Sequence, residues 1–201
     1  MSFSVDEHIF DASFLDSVTK RWGEKTLERV LAWESVLIAN SGQTIPVKLE
    51  QVNGFFNRMR SLSDETNWGE RDYWASPVEM LAAGGGDCED FAIAKYFSLK
   101  LLGIAEDRLR LAYVRSYGGR SSLRIVPHLV LLFYADADAE PLVLDNLIPE
   151  IKPASQRKDL APTYSFNASG LWQVQQRNRS ERIGDTTHLY KWQDLLRRMA
   201  P

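Results

Sequence analysis

The residue best suited to chemistry is Cys88, the single cysteine of the chain, which follows Gly84–Gly86 and Asp87. Aspartate is a favoured helix N-cap, and Asp90 stands three residues later, where the acid of a capping box belongs. Both features predict a helix that begins at Cys88. The free N–H groups and the dipole of a helix start favour a thiolate and lower its pKa. The sequence therefore offers Cys88 as a nucleophile, and a small buried core residue is the alternative interpretation.

A histidine and an aspartate lie at the same end of a predicted β-hairpin. His128 opens an apolar strand, Asp145 ends the next one, and closing the hairpin from Tyr134 to Pro141 places them nearly opposite each other. Such an aspartate would hold the imidazole in one tautomer and stabilise its protonated form. In isolation, a core histidine and a turn-capping aspartate are the commoner explanation. Together with Cys88, the pair supplies a nucleophile, a base and an orienting group for covalent catalysis.

Three carboxylates flank the thiol, those of Asp87, Glu89 and Asp90. Their repulsion disfavours a thiolate and raises its pKa, which conflicts with a nucleophilic role. A bound cation would remove the conflict, and carboxylate oxygens suit calcium, which takes about 6–8 oxygen ligands. We therefore predict a structural calcium site, completed by backbone carbonyls and by the loop at residues 64–67. The alternative is that these acids only cap the helix.

Other residues with possible roles are aromatic side chains and two further histidines. Trp68, Tyr73 and Trp74 lie in a polar loop, where they either cover the core or line a cleft beside the nucleophile. His8 and His188 lie in polar stretches and are predicted to be on the surface. No His/Cys spacing is typical of zinc, and neither a P-loop nor a dinucleotide fingerprint is present.

Helices are predicted to precede and follow the cysteine, because apolar residues recur there at helical spacing. The predicted elements are two helices within residues 11–40, a helix from Ile45 to about Arg60, a loop over residues 61–77, and a short helix from Pro77 to about Ala83. The helix after Cys88 is apolar nearly all round as far as Gly103, so it belongs in the core.

Beyond Gly103 the apolar period changes to that of strands. Strands are predicted at residues 109–115, 127–134, 142–146 and 171–174, with an irregular chain after residue 150 and a terminal helix at residues 189–199. This order predicts an α+β fold in which N-terminal helices pack on an antiparallel sheet. We expect one domain over residues 1–201, helical to about residue 103 and rich in sheet from about residue 104.

Composition excludes several functional classes. The net charge of −3 provides no bulk attraction to nucleic acid, and no apolar run reaches the ~18 residues of a membrane span. We therefore expect no nucleic-acid partner and no membrane insertion. No signal peptide is visible at the start of the sequence, so composition does not indicate a compartment.

The same motifs resemble those of the bacterial transglutaminase-like cysteine proteinases of the LapG type. The block around Cys88 is the most specific of them. The resemblance is carried by Asp72–Pro77, Gly86–Tyr96, His128–Leu131, Leu144–Asn146 and the front helices with Arg21–Gly23 and Trp33. It implies a papain-like or transglutaminase-like core with a triad of Cys88, His128 and Asp145. It also implies calcium carboxylates at Asp87 and Glu89, with Asp90 adjacent.

The resemblance further implies an activity, a location and partners. Such enzymes are periplasmic, calcium-dependent endopeptidases that cut the N-terminal region of a large surface adhesin beside an Ala-Ala pair and so release cells from biofilms. An inner-membrane cyclic-di-GMP receptor, LapD-like, sequesters them through its periplasmic domain. Two other interpretations stay open. A transglutaminase-like acyltransferase would use the same triad with an amine acceptor, and a non-catalytic binding module would retain only the fold.

Overall fold

The computed structural model describes residues 8–117, 125–174 and 180–200. Helices within these ranges supply most of the first half of the chain and the C-terminal end. They are α1 (Ala12–Trp22), α2 (Glu24–Asn40), α3 (Ile45–Asn57), α4 (Asp64–Trp68), α5 (Pro77–Ala83), α6 (Cys88–Leu101) and α7 (Tyr190–Met199). The first half is therefore helical, as predicted.

The strands form one large sheet and one small one. They are β1 (Arg60–Ser61), β2 (Gly85–Gly86), β3 (Leu109–Tyr117), β4 (Ile125–Phe133), β5 (Leu142–Leu144), β6 (Lys152–Pro153), β7 (Leu160–Asn167), β8 (Gly170–Val174) and β9 (Ser180–Gly184). The large sheet has the order β6-β5-β4-β3-β7-β8-β9 and is antiparallel, whereas β1 and β2 pair in parallel. The predicted α+β class, with helices packed on an antiparallel sheet, is confirmed.

Helix α6 is the central element of the core. Its residues Ile93, Ala94, Tyr96 and Leu99 are fully buried. The helix packs against α3, α5, β3 and β4. A helix with no wide polar face is stable only when it is enclosed in this way. Its first residue is therefore held at the boundary between the helical layer and the sheet.

The C-terminal helix returns to the helical layer. Trp192 of α7 is completely buried, and its ring lies 5.9 Å from that of Phe97 and 5.5 Å from that of Phe166. Arg198 pairs with Glu79 of α5 and donates to the Trp74 carbonyl at 2.5 Å. The end of the chain is thus packed against residues from both the helices and the sheet.

Two parts of the chain differ from prediction. The predicted loop over residues 61–77 contains the short helix α4, which Asp64 and Glu65 favour as first-turn acids. The chain after residue 150 is more regular than expected, because β7 pairs with the central strand β3. Pro162 and the polar residues of β7 obscure a strand pattern, and only pairing with β3 reveals it. No helix in the described ranges is both long and apolar enough to cross a membrane. The single domain remains a prediction.

Candidate active site

The turn before α6 is fixed by contacts that only glycine allows. Strands β1 and β2 bring Gly85 against Arg60, so that an added Cβ would lie 2.0 Å from the Arg60 carbonyl oxygen. A Cβ on Gly86 would lie 2.2 Å from Oδ2 of Asp90. Both distances are too short for a Cβ, so a side chain would displace the Arg60 backbone in one case and the Asp90 side chain in the other. The glycine run therefore ties the start of α6 to strand β1, which follows α3.

Asp90 holds the first turn of α6 from inside the protein. Its Oδ2 accepts a hydrogen bond from the backbone N–H of Asp87 at 3.3 Å, as the capping-box pattern predicts. Its Oδ1 accepts one from the backbone N–H of Ala75 at 2.7 Å. Asp90 is fully buried, so these bonds are protected from water. Cys88 is consequently placed at the first helical position with little freedom to move.

The Cys88 thiol lies between the α6 start and strand β4. Its Sγ donates to Oε2 of Glu89 at 2.8 Å, and the backbone N–H of Leu129 lies against the sulfur. Burial raises the pKa of the thiol and the Glu89 carboxylate raises it further, whereas the Leu129 N–H lowers it. The lowering predicted from the helix dipole is outweighed, and the predicted carboxylate repulsion is present.

His128 and Asp145 form a buried hydrogen-bonded pair. His128 Nε2 donates to Oδ1 of Asp145 at 2.8 Å, and their exposed fractions are 6% and 1%. The pairing of Leu131 with Leu144 has the register predicted for this hairpin. The thiol contacts the backbone N–H of Leu129, which follows His128 on β4. Its own hydrogen bond goes to Glu89, and no hydrogen bond between Cys88 and His128 is present among the described residues, so the complete triad stays a prediction.

Arg157 is a site residue that sequence analysis missed. Its Nη2 donates to Asp145 Oδ2 at 2.7 Å and to Asp159 Oδ2 at 2.6 Å, and its Nε donates to Asp159 Oδ1 at 2.9 Å. Only 3% of Arg157 is exposed. In the sequence it lies in a polar stretch after residue 150 that predicts a solvated turn, and no local signal marks it.

The charge of Asp145 is retained despite its burial. Burial would raise the pKa of this carboxyl, but the hydrogen bond and charge of His128, the backbone N–H of Leu147 and Arg157 outweigh it. Together they hold the pKa of Asp145 well below its usual range. Asp145 is therefore an ionised acceptor, and it keeps a hydrogen on Nε2 of His128 and leaves Nδ1 free to accept a proton.

Lys95 is a second buried base near the pair. It lies two helical turns after Cys88, so both residues belong to the same face of α6. Only 1% of it is exposed. Burial lowers the pKa of Lys95 to about 7, and the charge of Asp145 acts against this lowering. The sequence pattern identifies Lys95 only as one of the few polar residues of a core helix.

Three carboxylates converge next to the start of α6. Asp64, Asp87 and Asp90 each offer an oxygen, and these oxygens lie within 4.8 Å of one another. Oδ1 of Asp64 and Oδ1 of Asp87 are buried without a hydrogen-bond partner. A neighbouring cleft of about 380 Å³ is lined in part by Asp64, Asp87 and Glu89. Orphaned buried carboxylate oxygens in an acidic cleft fit the ligand set that calcium requires.

Mutual repulsion is visible in these acids. Burial raises the pKa of Asp87 to about 9, with contributions from the charges of Glu89, Asp90 and Asp64. Burial also raises the pKa of Asp90 to about 7. Of the three predicted calcium ligands, Asp87 and Asp90 belong to the converging cluster. Glu89 lines the same cleft but directs Oε2 to the thiol, and Asp64 occupies the third place in the cluster.

The aromatic loop residues have different roles. Trp74 is buried and stacks on Phe166 with ring centres 5.8 Å apart, so it covers the core. Trp68 and Tyr73 are partly buried, with ring centres 4.8 Å apart. His8 and His188 are exposed, as predicted. Only Trp68 and Tyr73 therefore remain as aromatic candidates for a cleft wall.

Comparison with known proteins identifies relatives of most of the chain. The family model for the bacterial transglutaminase-like cysteine proteinases matches residues 34–174. Among solved structures, LapG of Legionella pneumophila is 38% identical, with a TM-score of 0.80 over 96% of this chain and 100% of that one.

Two further structures of that protein are similarly close. One carries the description EGTA-treated and is 39% identical, with a TM-score of 0.80 over 96% of this chain and 100% of that one. The other is described as calcium-bound and is 38% identical, with a TM-score of 0.79 over 95% of this chain and 100% of that one. A comparison with curated proteins finds no match.

Proposed function

The chain belongs to the bacterial transglutaminase-like cysteine proteinases, and from that premise we propose that it is a calcium-dependent endopeptidase. Its substrate is the N-terminal region of a large surface adhesin, cut beside an Ala-Ala pair, and cleavage releases cells from a biofilm. The observation that carries the catalytic part is the buried His128–Asp145 pair, of which His128 lies on β4, the strand whose Leu129 N–H contacts the Cys88 thiol.

The reaction follows from the roles of these three residues. His128 Nδ1 takes the proton of Cys88, and the thiolate attacks the peptide carbonyl to form a tetrahedral intermediate. The backbone N–H of Cys88, free at the helix start, donates to the developing oxyanion. His128 then gives its proton to the leaving amine, and water hydrolyses the resulting thioester. Asp145 stays ionised throughout and stabilises the imidazolium.

Calcium would have a structural role. Asp87 and Asp90 on α6 and Asp64 on α4 would hold the ion, and Glu89 is a fourth carboxylate in the same cleft. The ion supplies positive charge that neutralises the carboxylates around the thiol. Two observations support a calcium site here. Oδ1 of Asp64 and Oδ1 of Asp87 are buried without a hydrogen-bond partner, and one of the similar LapG structures is described as calcium-bound.

Location and partners extend the same proposal. We place the enzyme in the periplasm, where the periplasmic domain of an inner-membrane, LapD-like cyclic-di-GMP receptor would sequester it. Both ideas rest on the resemblance of the sequence motifs to the family. Trp68 and Tyr73 are the aromatic residues offered as walls of the substrate cleft, because their rings are only partly buried.

The test is incubation with the N-terminal region of the cognate adhesin, read by mass spectrometry of the fragments. We expect one cut beside Ala-Ala with the wild type, none with C88A, and loss of cleavage in EGTA that calcium but not magnesium restores. Lys158→Gln, a change at an exposed position, is the control. Incorporation of dansylcadaverine without fragments would instead indicate acyl transfer. Normal cleavage by C88A would contradict the mechanism.

A further inference from the structure

Both carboxylate oxygens of Asp145 accept hydrogen bonds, and their donors belong to different parts of the chain. Oδ1 accepts hydrogen bonds from His128 Nε2 at 2.8 Å and from the backbone N–H of Leu147 at 3.0 Å, and Oδ2 accepts one from Arg157 Nη2 at 2.7 Å. We propose that Arg157 is a positioning residue that locks the Asp145 carboxylate in the plane in which it orients His128. This proposal rests on the proposed function, since it assigns Arg157 a role in the same reaction.

The geometry explains why an arginine is needed. A carboxylate held through one oxygen alone can rotate about its Cβ–Cγ bond, whereas hydrogen bonds to both oxygens fix its plane. The imidazole of His128 donates to Oδ1 of Asp145 and not to Oδ2, so it does not provide this second restraint. Arg157 is 3% exposed and Asp145 is 1% exposed, which leaves little access for water to replace the guanidinium. Arg157 therefore decides the orientation of Asp145.

Arg157 is itself held by a third residue. Nε and Nη2 of Arg157 bind both oxygens of Asp159, at 2.9 and 2.6 Å. This two-point contact fixes the guanidinium plane and leaves Nη2 directed at Asp145 as well. The result is a continuous chain from the half-exposed Asp159 through Arg157 and Asp145 to His128. Asp145 thus receives support from a turn far away in sequence from the catalytic helix.

The charges around Asp145 support the same role for Arg157 as the hydrogen bonds do. The charged groups that act on Asp145 are His128 from β4, Arg157 and Asp159 from the turn before β7, and Lys95 from α6, and of these only Asp159 is an anion. Removal of Arg157 takes away both a charge and a hydrogen bond that favour the carboxylate, so the pKa of Asp145 must rise. The His128–Asp145 pair would then be lost at a higher pH as the solution is acidified. A purely structural arginine would not move this limb of the pH profile.

The experiment compares Arg157→Gln and Arg157→Lys with the wild type and with Lys158→Gln, the exposed neighbour. We expect kcat for R157Q to fall about 100-fold with KM unchanged, because misplacement of a catalytic group costs rate and not binding. The acid limb of kcat should move to higher pH. R157K keeps the positive charge and an ammonium that can donate to Asp145, but it lacks the planar fork that binds Asp159, so it should recover part of the loss. K158Q should match the wild type in each measurement.

Carboxyl carbon NMR of Asp145 gives an answer that does not need a substrate. In the wild type this carbon should stay in its ionised position below pH 3.9, the ordinary value for aspartate, and in R157Q it should titrate at higher pH. Unchanged kcat and unchanged titration in folded R157Q would overturn the proposal. If neither variant folds, the wild type alone still tests the proposal. An ordinary pKa of Asp145 in the wild type would overturn the proposal, and a depressed pKa would support it. Failure of the wild type to cleave the adhesin would count against the protease function alone. The NMR titration would still measure the effect of Arg157 on the pKa of Asp145.

Discussion

At the scale of single residues, the site separates two carboxylate environments that lie close in the fold. Asp145 has cationic and N–H partners, and its pKa is depressed. Asp87 and Asp90 face other carboxylates, and burial raises their pKa values to about 9 and about 7. Aspartate is thus an ionised group that orients His128 at position 145, whereas at positions 87 and 90 it is an acid with a raised pKa. This contrast supports the proposed catalytic role of Asp145 and the proposed cation binding by Asp87 and Asp90.

Asp145→Asn tests the first environment. The amide keeps the shape of the side chain but removes the charge that stabilises the His128 imidazolium, so kcat should fall by about 10⁴. Kinetics of adhesin cleavage, with circular dichroism to check folding, measure the effect. Asp138→Asn, at an exposed position in the same hairpin, serves as the control. Activity of folded D145N within a few-fold of the wild type would remove Asp145 from the mechanism.

At the scale of elements, the start of α6 depends on its neighbours as much as on its own sequence. The capping box of Asp87 and Asp90 is local, but the glycine turn is held by β1, and Asp90 also binds the backbone of Ala75. The position of the thiol is therefore a property of the contact between α6, β1 and the loop before α5. A change in any of these elements should therefore shift the position of the Cys88 thiol.

Gly85→Ala tests the contact with β1. The new Cβ would lie 2.0 Å from the Arg60 carbonyl oxygen, which is backbone and cannot move aside easily. We expect a loss of about 1–3 kcal/mol of unfolding free energy, typical of overpacking, and a clear drop in activity. Urea unfolding measures the first. Gly42→Ala is the matched control, because an added Cβ there meets no atom within 4 Å. Equal stability of the two variants would contradict the role of this turn.

Calcium should join α4 to α6. Because Asp64 lies on α4 and Asp87 and Asp90 lie at the start of α6, a shared ion would stabilise the folded state by about 2.7 kcal/mol at a hundredfold excess over Kd. We expect the Tm of the wild type to rise with calcium chloride and the Tm of Asp64→Asn to respond far less. Glu70→Gln, an exposed acid in the same loop, should respond as the wild type does. A full calcium response of D64N would exclude Asp64 as a ligand.

At the scale of the whole molecule, the C-terminal helix joins the two layers. Trp192 contacts the rings of Phe97 on α6 and Phe166 on β7, so one side chain bridges the helices and the sheet. Arg198 adds an ion pair to Glu79 at the start of α5. Helix α7 therefore packs against both the helical layer that contains Cys88 and the sheet that contains His128. Its contribution is to global stability and not to the chemistry.

Trp192→Ala should reveal this contribution. Removal of a fully buried indole costs about 3–5 kcal/mol of unfolding free energy. Thermal and urea unfolding provide the measurement. Tyr190→Ala, two residues earlier and 80% exposed, should change stability by less than about 0.5 kcal/mol. If W192A were as stable as Y190A, the packing of α7 would not hold the layers together.

The sequence by itself determined the features that depend on neighbours along the chain. The helix start at Cys88 follows from Asp87 and Asp90, and the position of His128 near Asp145 follows from the length of one hairpin. Both are local relations, because capping involves adjacent turns and hairpin register is set by the connecting loop. The alternation of apolar residues in the strands and the apolar surface of α6 likewise specified the fold class.

Only the tertiary structure decided which distant residues complete the site. Arg157 lies in a polar turn that resembles any solvated loop. The sequence assigns the loop at residues 64–67 to the cation site, but only the fold selects Asp64 as the residue of that loop that meets Asp87 and Asp90. Trp74 could have lined a cleft, but the fold places it in the core against Phe166. These outcomes depend on burial and on contacts between elements far apart in the chain. A polar side chain becomes a site residue when folding removes water and leaves one charged partner within reach, and no local pattern encodes that partner.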